Sequence, residues 1–103
     1  MTEPKAQASK VKMKLWLVRR TDRIGYDQYD SIVVAAWTED EARYTHPYDR
    51  LVWSFHRGIW VYTDSGVEAW DDSWAAPSTL TVEYLGCTDR EISGVIHTSF
   101  NAG

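Results

Sequence analysis

Three sets of residues in this 103-residue chain have types and spacings that could do chemistry. The first is Tyr26-Asp27-Gln28-Tyr29-Asp30, two carboxylates three residues apart beside two phenols. In a loop such a pair could hold a cation weakly. In an extended chain successive side chains point to opposite faces, and Asp30 becomes a cap at the entry to a strand. The second set is Asp64-Ser65-Gly66. Dimeric aspartic proteases of short chains carry Asp-Ser/Thr-Gly and need two such carboxylates sharing a proton. Here Val67 follows where those enzymes place a small residue, and Asp64 comes late in the chain, so an ordinary turn is the better reading. The third set is His46, His56 and His97, far apart in sequence and more readily packed or surface histidines than metal ligands. There is no glycine-rich phosphate loop, no GxSxG and no HExxH. The sequence therefore names no catalytic residue, no cofactor-binding residue and no metal ligand, and the expectation is a protein that is not an enzyme.

Aromatic residues carry the stronger signal. Six tryptophans and six tyrosines exceed what one small core needs, and these residue types anchor protein interfaces. In "EAWDDSW", Trp70 and Trp74 lie four apart with Asp71 and Asp72 between them. On a helix the two rings would share one face with the acids to its side. Such a patch suits a basic protein surface; alternatively both rings lid an open sheet face. The residues expected to meet a partner are Tyr26, Asp27, Tyr29, Asp30, Trp70, Asp71, Asp72 and Trp74.

These groups must be positioned by the elements around them. Residues 1–10, polar and without periodicity, read as a flexible tail, and 11–103 as a single domain. From Val11 the pattern alternates, with Val11, Met13, Leu15 and Leu17 on one face and Lys12, Lys14, Trp16 and Val18 on the other: a strand to about Arg20. "SIVVAAW" is apolar on both faces, which suits a central strand covered on both sides or lying next to an interface. Thr38 and Glu41 stand in capping-box relation, with Trp37 and Ala42 at the staple positions, so a helix is expected from Glu39 to about His46, ahead of Pro47. "LVWSFHRGIWVY" reads as a hairpin turning at His56-Arg57-Gly58. "VEAWDDSWAAP" is ambiguous between helix and loop, and "STLTVEYLG" and "GVIHTSF" are strands. The expected fold class is α+β: an antiparallel sheet of about four to six strands with one short helix packed on it.

Charge and composition exclude several function classes. The chain carries −4 overall, but residues 1–20 hold six basic groups and one acid, whereas the remainder holds fourteen acids against five arginines. An acidic body repels nucleic-acid backbones and favours a basic partner. No apolar run is long enough to span a membrane, and the N-terminus lacks the apolar block of a signal peptide. The single cysteine, Cys87, forms no internal disulfide, which fits a reducing, cytoplasmic setting.

The blocks "KLWLVRRTDRIGYDQYDSIVVAAWTEDEAR", "VEYLG" and "GVIHTSFNAG", over residues 13–46 and 80–103, resemble a group of short proteins encoded by bacteriophages and prophages. The resemblance implies a phage setting in the host cytoplasm and carries no assigned chemistry or site residues. Small proteins of this kind include inhibitors of bacterial defence systems, anti-CRISPR proteins among them. The expected function is thus a phage protein that inhibits or redirects a host protein with a basic surface, such as a nucleic-acid-binding defence component. Direct nucleic-acid binding and membrane association are not expected; a homodimer is compatible with the sequence. The alternatives are a nucleotide or sugar binder with a tryptophan-lined pocket and an accessory structural phage protein.

Overall fold

The computed structural model describes residues 11–22, 28–69 and 74–101. Its elements are β1 (Met13–Arg20), β2 (Gln28–Ala36), α1 (Glu39–Arg43), β3 (Leu51–Ser54), β4 (Ile59–Tyr62), a 3₁₀ turn (Pro77–Thr79), β5 (Leu80–Thr88) and β6 (Gly94–Asn101). Four strands form one antiparallel sheet in the order β5-β1-β2-β6, and β3 with β4 makes a separate two-stranded hairpin. The α+β expectation holds, with the hairpin standing apart from the main sheet.

Packing selects the face of β1 that begins with lysines. Trp16 and Val18 are buried, and in register with them lie Val34 and Ile32 of β2 and Tyr84 and Val82 of β5. Over this face close Ala42 of α1, Trp60 of β4, and Trp74 and Ala75 ahead of the 3₁₀ turn. Each layer is also tied by hydrogen bonds. Trp16 Nε1 donates to the Ala36 carbonyl at 3.1 Å, and Trp60 Nε1 donates to the Ala75 carbonyl at 3.0 Å. Arg43 donates to the carbonyls of Leu80 at 2.6 Å and Pro77 at 3.2 Å, joining α1 to β5. Bonds of this kind matter most where an unpaired buried group would cost about 1–3 kcal/mol.

The N-terminus of α1 is capped with one change from expectation. Thr38 Oγ1 accepts from the Glu41 amide at 3.1 Å, whereas the Glu41 carboxylate accepts from the amide of Trp37, at 2.7 Å, not from that of Thr38. Trp37 is 47% exposed while Ala42 is fully buried, so the two side chains have separate environments. The helix also ends earlier than His46. Tyr44 is its C-cap, and Thr45 leaves to form a bridge with Val52. At the hairpin tip Gly58 takes φ +70°, a left-handed conformation that glycine adopts without steric cost, and its amide donates to Ser54.

Among the described residues the one strongly buried cation is structural. Arg20, 8% exposed at the end of β1, donates to both carboxylate oxygens of Asp22 at 2.7 and 2.9 Å and to the Tyr29 carbonyl at 3.2 Å. The two-point geometry with a carboxylate offsets the cost of taking the guanidinium out of water.

Candidate functional site

The second face of the four-stranded sheet is built by the same strand alternation that fills the core. Register places its side chains in three rows. Thr81, Arg19, Ser31 and Ser99 form a polar row. Glu83, Leu17, Val33 and His97 form the middle row. Gly86, Leu15, Ala35 and Gly94 form the third, in which the two outer positions have no side chain. Leu15, Leu17 and Val33 are half-buried, while Ala35 in the third row and Met13, one step further along this face of β1, are fully buried; α1, the hairpin and the 74–79 segment contribute to the core on the opposite face. The bulge residues beside these rows, Leu85 in β5 and Ile96 in β6, are exposed as well. The result is an apolar strip about two strands wide, edged by Arg19 and Glu83, neither of which makes an ion pair among the described residues.

A concave feature lies elsewhere. A broad open groove of about 670 Å³ runs between the segment after α1 and the start of β6, lined by Tyr44, His46, Tyr48, Arg90 and Ser93 among others. His46 is buried in its wall, edge-on to Trp60 with ring centres 4.9 Å apart. Its Nδ1 accepts from the Tyr48 amide at 2.9 Å, which leaves the ring proton of the neutral form on Nε2. Among the described residues no tryptophan lines this groove. Trp16, Trp53, Trp60 and Trp74 belong to the core or pack against it.

Of the expected partner patch, the described residues include Tyr29, Asp30 and Trp74. Tyr26, Asp27, Trp70, Asp71 and Asp72 lie outside them. Tyr29 is half-buried against the core, and Asp30 is the extra residue of a bulge opposite Ser99 and Phe100, its carboxylate accepting from the Ser31 hydroxyl at 3.1 Å. Trp74 is 3% exposed in the core, the lidding position, and offers no surface to a partner. Its helical spacing from Trp70 had made it look like an anchor. The signal that could have found the outer face was present in β1, where Leu15 and Leu17 stand on the side opposite Trp16.

The chemical candidates separate in space. Asp64 pairs with Arg50 at 3.2 Å, and Gly66 donates its amide to Tyr62, which makes Asp64-Ser65-Gly66 a turn. His46 is buried beside the groove, His56 is exposed in the hairpin turn and His97 is exposed on β6. Among the described residues no three His, Cys, Asp or Glu side chains cluster as metal ligands, and no helix is long and apolar enough to cross a membrane. Family models, curated proteins and solved structures were all compared with the chain, and none matches.

Proposed function

We propose that this chain is a non-enzymatic binding protein that docks a partner protein on the outer face of its four-stranded sheet and thereby inhibits or redirects it. The observation that carries this reading is the strip of Leu15, Leu17 and Val33: three aliphatic side chains at the centre of a sheet, half-buried on the face opposite the core cluster. Apolar surface of this kind is left open on a small protein mainly where something else buries it. A strip laid across a sheet face suits a macromolecule better than a small ligand, which needs a concave site.

The partner's chemistry follows from charge. The chain carries −4, and Asp40, Asp49, Glu68 and Glu91 make no ion pair among the described residues. A partner with an apolar ridge and a basic rim complements such a body, and its approach would be steered by the long-range field. The phage resemblance of residues 13–46 and 80–103 points to a host protein as the target, a defence component with a nucleic-acid-binding surface being the type that combines both features.

The test is capture from a bacterial lysate with the wild-type chain and with Leu17→Lys and Val33→Lys, followed by mass spectrometry. A partner held by the wild type, released by rising salt and lost from both variants supports the reading. Equal capture by all three chains excludes this face.

A further inference from the structure

We infer that β6 is an open strand-addition edge and that its occupant is a second copy of this chain, paired β6 to β6 in antiparallel fashion about a two-fold axis. The sheet order leaves β5 and β6 as its two edges. β6 pairs with β2 on one side, and among the described residues no backbone hydrogen bond reaches its other side. A free edge presents a row of amide and carbonyl groups spaced to accept another strand, and proteins that stay monomeric blunt such edges with charge, proline, bulges or a short strand.

The two edges share a bulge, at Leu85 and at Ile96, and a glycine at positive φ, Gly86 at +146° and Gly94 at +144°, but they differ in charge: β5 carries Glu83. β6 is eight residues long, Gly94–Asn101, and contains no Lys, Arg, Asp, Glu or Pro. Its one inserted residue, Ile96, sits near the start, so His97 to Asn101 runs without a further insertion.

For a second copy, symmetry then favours β6 over β5. A two-fold axis makes identical strands antiparallel and places residues near the strand centre beside their own copies. A charged side chain there would face itself, and like charges directly opposite destabilise a strand pair. Pairing through β5 would set Glu83 near Glu83; pairing through β6 brings no such clash. Joining the copies also extends the row of Leu17, Val33 and His97 across both sheets. The edge and the docking face are different surfaces, so this pairing stands or falls independently of the proposed partner.

The experiment is sedimentation velocity on the full chain across a wide concentration range, with amide hydrogen exchange on the same samples. The wild type should pass from 11.9 kDa to twice that mass, and β6 amides should gain protection with concentration while β5 amides do not. His97→Lys and Ser99→Lys should stay monomeric, because each sets a positive charge near its own copy, whereas Leu17→Lys should still dimerise. If a variant fails to fold, the concentration dependence of wild-type exchange decides alone. A wild type that is monomeric throughout, with β6 exchange independent of concentration, overturns the proposal. So does loss of the dimer in Leu17→Lys but not His97→Lys, which would mean that the copies meet face to face. Growth beyond a dimer would indicate head-to-tail pairing of β6 with β5 and overturns it equally.

Discussion

Trp60 and Trp74 share one core, yet among the described residues only the Trp60 indole N–H is bonded: it donates to the Ala75 carbonyl, the residue after Trp74, while the buried Trp74 Nε1 finds no partner among them. Phenylalanine at either position keeps an aromatic ring and removes the donor. Trp60→Phe leaves a buried carbonyl unpaired, and Trp74→Phe removes an unpaired donor. Trp60→Phe should therefore be the more destabilising of the two by about 1–3 kcal/mol. Urea denaturation of both variants checks this, and equal losses would mean that the Ala75 bond contributes nothing.

The cap of α1 gives a second expectation. Thr38→Ala removes the acceptor for the Glu41 amide and should cost about 1 kcal/mol with the fold retained. Glu41→Ala strips the acceptor from the Trp37 amide and should lower the denaturation midpoint as well. Because Trp37 is half exposed, water can replace part of that bond, and the smaller effect is expected there.

What the sequence made legible, and what it did not, divides along physical lines. The cap at Thr38, the turn at Gly58 and the alternation of β1 are local, and each was readable from neighbouring residues. The end of α1 was not, because it depends on Thr45 bridging to Val52, a tertiary contact that shortens the helix from His46 to Arg43. The same holds for Trp74, whose burial depends on strands far away in the chain. The outer face was hidden by symmetry of pattern: β1 and β2 are apolar on both sides, so alternation alone could not say which side the chain covers. The group at Tyr26, Asp27, Trp70, Asp71 and Asp72 remains a sequence-level expectation.

Acid should weaken the fold in part through Asp22. Two hydrogen bonds from Arg20 hold its carboxyl below the ordinary carboxylate range, against the opposing effect of burial. The folded state thus binds the proton less readily than the unfolded one. The resulting stability is fully present above the unfolded carboxylate pKa and is lost as pH falls through the depressed value. Asp22 is half exposed, so solvent screens the pair and the contribution is modest. Asp22→Asn should flatten the acid limb of stability against pH and lower stability at neutral pH, where Arg20 keeps fewer partners. An unchanged acid limb would place the pH dependence in other carboxylates, such as Asp89, which Lys12 shifts in the same direction.

Leu17 tests the central claim most directly, because it sits mid-sheet in the half-buried strip and makes no part of the core cluster. The measurement is the affinity of the captured partner for the wild type and for Leu17→Lys, with the folded state of each confirmed by circular dichroism and Arg57→Ala at the distant hairpin tip as control. A lysine at the centre of an apolar interface should weaken binding by about 30-fold or more, the loss seen when a central anchor worth about 2 kcal/mol is removed. The control should bind as the wild type does. Wild-type affinity in a folded Leu17→Lys chain would contradict the account and move the binding surface off the sheet.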